Sequence, residues 1–199
     1  MPTIYIDTRQ KKGKHEPKHA LFSALDYTLE YKKLDVGDYM LEGKPCVSVD
    51  TKQNIQELHQ NLCGRKVVTE NGRTLSEHER FRNECIRAQE AGIKLFVLVE
   101  TPHVTNLDEL AKWREPNDEY YRRGGMKFNQ KTASYNKNGA RRYTPQRIWG
   151  KSLSKACRTM QDKYGVSFVF CHPDLAGSMT LSLLQGISQE LTGGESDEQ

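Results

Sequence analysis

The stretch IKLFVLVE, residues 93–100, constrains the fold of this chain more than any other. A strand this apolar has no polar side to turn toward water, so both of its faces must be covered, as in an α/β sheet. The residues before it supply one cover. Ser76-x-x-Glu79 is a capping box, in which the serine side chain accepts from an orphan amide and the glutamate accepts from the cap's own N–H. Phe81, Cys85 and Ala88 then form the inner stripe of a helix, and Gly92 stands where a left-handed C-cap belongs.

The same alternation of strand and helix runs along the chain. TIYID (3–7) is a short apolar strand ending in Asp7, and a helix after Pro17 turns Ala20, Leu21, Ala24 and Leu25 inward. YTLEYKKL (27–34) alternates at period two. VGDYML (36–41) and CVSVDTK (46–52) flank EGKP and form a hairpin. Ile55, Leu58 and Leu62 fall at helical spacing, and residues 64–73 read as a polar loop. From Pro102 to about Pro145 regular patterning lapses, apart from a short helix at 106–113. An insertion of that length is functional or disordered. A helix near 146–163, the strand VSFVFC (166–171) and an apolar-striped helix at 174–191 follow, then a frayed acidic tail. This order predicts one α/β domain over residues 1–192, a mixed sheet flanked by helices, with a flexible tail at 193–199.

Charge is concentrated in the insertion. From Tyr120 to Lys151 there are nine Lys and Arg and no acid, so a net charge of +4 leaves the remainder five negative. Such a segment suits a polyanion, although a solvated loop kept soluble by lysines has the same composition. Tyr120, Tyr121, Phe128, Tyr135, Tyr143 and Trp149 are interleaved with those cations. Cations track a phosphate backbone while rings stack on bases. Trp149 reads instead as packing against the returning helix. Five scattered cysteines without CxxC spacing indicate reduced thiols in a cytoplasmic protein. His15 and His19, set among lysines, read as a solvated face. No run approaches the roughly 18 apolar residues of a membrane helix, and the N-terminus lacks signal-peptide character.

The hairpin carries the chemistry. Neighbouring strands bring Asp38 and Asp50 side by side, and two carboxylates that close call for a cation, with Mg²⁺ or Mn²⁺ suited to hard oxygen ligands. Side-chain alternation puts Lys52 on the same face as Asp50, where an ammonium can orient water and stabilise a phosphate transition state. The carbonyl of Thr51, at an exposed strand end, adds a further oxygen. Gly-Asp in a turn and Thr-Lys on a strand are also ordinary surface residues. Asp7 at its own strand end, together with the basic insertion, favours the phosphodiesterase reading.

At these residues the chain resembles the XPF/Hef-type excision-repair nuclease domain, a branch of the PD-(D/E)xK superfamily. The family opens on Asp-x-Arg-Glu, here IDTRQ; its core is Gly-Asp, a hairpin and Glu-Arg-Lys, here VGDYMLEGKPCVSVDTK. A helix beginning Arg-Phe and a strand closing on Val-Glu follow, here RFRNECIRAQEAGIKLFVLVE. The resemblance implies a restriction-endonuclease-like fold and a Mg²⁺-dependent endonuclease for flapped, forked, junction or single-stranded DNA, in repair, recombination or phage and mobile-element DNA processing. It implies Asp7, Arg9, Asp38, Asp50 and Lys52 as catalytic residues and Asp38, Asp50 and Thr51 as metal ligands. Arg9 and Arg80 either contact the scissile phosphate or pair with Asp7 and Glu100; with Arg80, the basic insertion supplies the expected DNA contacts, Arg122, Arg123, Lys127, Lys131, Arg141, Arg142 and Arg147. The sequence departs from the family at Gln10, Asp50 and Thr51, where the family has Glu, Glu and Arg; Glu57 comes one residue late, and the insertion at 102–145 is unlike the eukaryotic members. No tandem helix–hairpin–helix follows, as in stand-alone phage or bacterial proteins. Leu181, Leu184, Ile187 and Leu191 form core or a homodimer seam. The competing function is a DNA-binding module on an inactive nuclease scaffold, against which the retained Asp38, Asp50 and Lys52 argue.

Overall fold

A computed structural model describes residues 1–10, 13, 15–64, 67–70, 73–123 and 147–186. Strand β1 (Thr3–Asp7) leads through helix α1 (Glu16–Ala24) to β2 (Thr28–Lys32), and β3 (Tyr39–Leu41) turns into β4 (Lys44–Lys52). Helix α2 (Ile55–Cys63), a ladder of β5 (Val67–Glu70) and β6 (Arg73–Ser76), and helix α3 (Glu77–Glu90) lead to β7 (Lys94–Glu100). Helices α4 (Leu107–Lys112), α5 (Asn117–Arg122) and α6 (Gly150–Tyr164) precede β8 (Ser167–Cys171). A 3-10 turn at Pro173–Leu175 then opens α7 (Ala176–Gln185).

The main sheet has the order β2-β1-β3-β4-β7-β8. Strand β3 is antiparallel to both neighbours; β2 with β1, and β4, β7 and β8 with one another, run parallel. Strand β7 is covered on both sides, as its composition requires. Val97 and Val99 enter one core with Leu58, Phe81 and Leu153 from α2, α3 and α6; Leu98 enters the other with Phe22 and Leu184 from α1 and α7. Leu181 and Leu184 are therefore core residues, while Ile187 and Leu191 lie outside the described residues. Among the described residues no helix is long and apolar enough to cross a membrane.

Five local readings are corrected. Helix α1 buries Lys18 and Phe22, while Leu25 is 52% exposed. Phe22 stacks edge-on against Tyr39 with centroids 5.8 Å apart, and Lys18 pairs with Glu100; these contacts set the helix rotation. His15, on the same side, is buried rather than solvated. The expected loop at 64–73 contains the β5–β6 ladder, whose sequence carries the Asn71-Gly72 hairpin signal between two Val/Thr/Leu runs. The insertion begins with a second short helix, α5. Helix α7 stops at Gln185 because Gly186 takes a left-handed φ of 73°.

Candidate active site

The hairpin register settles how the acids meet. Tyr39 pairs with Val49 and Met40 with Ser48, which sets Asp38 opposite Asp50. Lys52, two residues along β4, places Nζ 2.6 Å from Asp50 Oδ2, and both residues are 5% exposed. A cavity of about 310 Å³ is lined by these three side chains together with Asp7, Arg9, Gln10, Arg80 and Glu84. Four separate elements thus deliver the residues that the sequence scattered over positions 7–84.

The turn before β3 is built around Gly37. Its φ of +69° is left-handed, and a Cβ there would sit 2.2 Å from Ser48 Oγ, so both conformation and space demand glycine. Asp38 is fixed from both ends. Its N–H donates to the Val49 carbonyl at 2.9 Å, and its Oδ2 accepts from Thr51 N–H at 2.9 Å and Thr51 Oγ at 2.7 Å. Thr51 is correspondingly buried within β4, not at an exposed strand end, and pairs in register with Leu98.

Asp7 is 2% exposed and fully engaged. It accepts Arg9 Nε and Nη2 at 2.8 Å each, Arg9 N–H at 2.7 Å and Leu34 N–H at 2.9 Å. Burial alone would raise its pKa, but the Arg9 and Leu34 hydrogen bonds outweigh that and hold it below the usual carboxylate value. Arg9 also donates to the Leu34 carbonyl at 2.7 Å. Asp7 and Arg9 form a buttress under the cavity, since Asp7 N–H holds the Asp38 carbonyl at 2.9 Å.

Asp50 behaves in the opposite way. Burial pushes its carboxyl up to about 7, with the charges of Asp38 and Glu84 adding to the effect against Lys52. Burial lowers the Lys52 pKa, yet the surrounding carboxylates of Asp50, Asp38 and Glu84 overcome it, so the ammonium stays charged. Asp50 Oδ2 is engaged by the Lys52 ammonium at 2.6 Å, while Asp38 and Glu84 bring further negative charge to the same cavity. A facing pair of carboxylates in one polar cavity fits a hard divalent cation, which would relieve the repulsion that adds to burial in raising Asp50. No set of three or more His, Cys, Asp or Glu side chains among the described residues is spaced to hold a metal. Any cation would therefore rest on the Asp pair plus backbone oxygen and water.

Two cavity residues come from α3. Arg80 pairs with Glu77 at 3.1 Å and keeps its charge through the nearby carboxylates of Glu84, Glu77 and Asp50, despite burial. Glu84, 6% exposed, accepts Gly37 N–H at 2.9 Å. Its signal in the sequence was an acid on the stripe of Phe81, Cys85 and Ala88. Glu57 lines the cavity and accepts Gln53 N–H at 2.9 Å at the start of α2. Glu100 pairs with buried Lys18.

The basic residues divide. Arg122 is exposed, 3.7 Å from Asp118. Arg123 is committed to buried Glu115, and Arg147 donates to the Glu115 carbonyl at 2.8 Å while lying 4.5 Å over the Tyr120 ring. Trp149 is not packed away: it is 53% exposed and carries the Arg114 guanidinium 4.5 Å over its ring. Lys127, Lys131, Arg141 and Arg142 lie outside the described residues.

Comparisons with known proteins agree with this geometry. No curated protein sequence matches the chain. XPF from Aeropyrum pernix shares the fold, with 17% identity and a TM-score of 0.52 over 96% of this chain and 67% of its own. XPF from Aeropyrum pernix in complex with DNA gives 17% identity and a TM-score of 0.54 over 98% and 69%. The expected restriction-endonuclease-like architecture is thus the observed one. The ERCC4 domain family model matches residues 6–179, a span that holds every strand from the end of β1 to β8 and every cavity residue, and the chain belongs to that family.

Proposed function

We propose that this protein is a divalent-metal-dependent endonuclease that hydrolyses DNA phosphodiester bonds, selective for flapped, forked, junction or single-stranded DNA. Repair, recombination or phage and mobile-element DNA processing is the setting that fits such an activity. One observation carries the reading: Asp38 faces Asp50 across the hairpin, with Lys52 beside Asp50 in the same cavity. The ERCC4 domain match and a relative solved with DNA support it.

Asp38, Asp50 and the Thr51 carbonyl would hold Mg²⁺, or Mn²⁺ in its place. When bound, the cation supplies a Lewis acid for the phosphoryl oxygen and lowers the pKa of a water. The chain's own groups do the rest. Thr51 orients Asp38 through two hydrogen bonds, and the Asp7–Arg9 buttress fixes its backbone. Lys52 and Arg80 hold positive charge where negative charge accumulates on phosphorus oxygens. The test is cleavage of a panel of flaps, forks, junctions and plain duplex with and without Mg²⁺ or Mn²⁺. Cutting that needs metal and is lost in Asp50→Ala supports the reading. DNA binding without cutting under either metal would leave the inactive binding module.

A further inference from the structure

We propose that Glu84 is a positioning residue that ties the Gly37–Asp38 turn to helix α3. Its effect on catalysis rests on the nuclease reading above; the tie itself does not. The starting point is an oddity of sequence. Positions 81, 84, 85 and 88 are the buried positions of α3, and three of them carry Phe, Cys and Ala. Placing a carboxylate in such a stripe carries a desolvation cost that an apolar residue would avoid, so the site must answer it with donors and cations. It does. Gly37 N–H donates to Glu84 Oε1 at 2.9 Å, and the cavity that Glu84 lines also holds Lys52 and Arg80.

The polar groups of the turn show why this bond matters. Ser48 Oγ donates to the carbonyls of Val36 at 2.8 Å and Tyr39 at 3.1 Å. Asp38 N–H donates to Val49, and the Asp38 carbonyl accepts Asp7 N–H. All of those partners belong to β1 or β4. The Gly37 N–H bond is the one in this set that leaves the sheet and reaches α3. Gly37 can present that N–H to the helix because its φ of +69° is left-handed. Arg80 stands one turn before Glu84 on the same helix and faces the same cavity. Beside the Arg87 Nε bond to the Asp35 carbonyl at 3.2 Å and the packing of Val36 in the core of the α3 stripe, this buried bond ties α3 to the turn itself, and with it the position of Arg80 relative to Asp38. A neutral acceptor of the same length would hold the turn equally well, which separates this role from a purely electrostatic one.

The experiment compares Glu84→Gln, which keeps an acceptor at the same reach, with Glu84→Ala and Glu84→Asp, which do not reach Gly37. Three quantities are read: amide exchange at Gly37 by NMR, Mn²⁺ affinity by calorimetry, and kcat with KM for DNA. Gln should protect the Gly37 amide and keep kcat within a few-fold of the parent protein. Ala and Asp should release the amide and lower kcat by roughly tenfold to a hundredfold with KM little changed, as expected when a reacting group is misplaced by a fraction of an ångström or more. Mn²⁺ affinity should fall with kcat. Should Ala fail to fold, Asp alone decides. Wild-type protection and kcat in Asp would overturn the proposal, as would a loss in Gln equal to that in Asp. If the parent protein cuts no DNA, the nuclease reading fails on its own, and Gly37 exchange and Mn²⁺ affinity still judge Glu84.

Discussion

Glu115 and Arg123 are joined by a fork of two hydrogen bonds, Nε to Oε1 at 2.6 Å and Nη2 to Oε2 at 2.8 Å, with the carboxylate side chain wholly shut off from solvent. The same carboxylate accepts Ile148 N–H at 3.0 Å. One buried acid therefore fastens both ends of the basic segment, which leaves at Arg123 and returns at Arg147. Burial alone would raise the Glu115 pKa, but Arg123 and the Ile148 amide hold it below the usual glutamate value. A depressed folded-state value contributes stability that is present above the unfolded value and lost as pH falls through the folded one. Glu115→Gln should thus lower stability near neutral pH by about 2–3 kcal/mol, the scale of charged hydrogen bonds. The gap from the parent protein should close as pH drops below about 4.5. Thermal melts across pH check this; a gap that ignores pH contradicts it.

Gly37→Ala should be among the more damaging small substitutions. A left-handed residue with a Cβ costs about 1–2 kcal/mol, and here the new atom also lies 2.2 Å from Ser48 Oγ and 3.1 Å from the Val49 carbonyl. Removing the hydroxyl relieves the first overlap. The double variant Gly37→Ala with Ser48→Ala should accordingly lose less stability than the two single losses added together. Strict additivity in denaturant melts would show that the overlap is not the cause.

For the basic segment the structure redirects the obvious experiment. Arg123 and Arg147 are tied to Glu115, so replacing them confounds DNA binding with stability. Lys127, Lys131, Arg141 and Arg142 are the better choice. If each neutralises a phosphate, their joint replacement by Ala should flatten the slope of log affinity against log salt by about 0.9 per contact on duplex, with Tm read alongside to separate folding from binding. An unchanged slope would remove the segment from the DNA path.

How much of this was legible depends on the kind of signal. Periodicity located β1, β4, β7, β8 and α3 because one face or two faces of each are apolar, but the register that sets Asp38 opposite Asp50 depends on the irregularity between Met40 and Leu41, which the turn sequence did not announce. Asp38, Asp50 and Lys52 were legible since two-residue alternation fixes which side chains share a face. The rotation of α1 was not, because the Lys18–Glu100 pair joins residues 82 apart in sequence. Glu84 and Glu115 are buried acids whose partners, Gly37 and Ile148, are also remote, and composition assigns acids to the surface by default. Arg9 shows a third case. Its pairing with Asp7, two residues away, was legible as one alternative, but the bonds that Asp7 and Arg9 both make to remote Leu34 were not.

Lys52 is where the enzyme and the binding module part. Its Nζ lies 2.6 Å from Asp50 Oδ2 and is buried under Phe81, whose ring centroid is 5.6 Å away. In the nuclease reading that ammonium matters most in the transition state, when negative charge grows on phosphorus oxygens. Removing one preorganised charge of this kind costs on the order of a hundredfold or more in rate, about 3 kcal/mol. Lys52→Ala should therefore lose most cleavage while binding DNA nearly normally, because many other cations hold the backbone. Loss of the ammonium also leaves Asp50 more exposed to the charges of Asp38 and Glu84, so a modest drop in Tm should accompany it. Lys52→Arg keeps the charge but not its compact reach, and should recover Tm far better than rate. Wild-type cleavage by Lys52→Ala would remove this lysine from the mechanism, and with it the strongest residue-level argument for an enzyme.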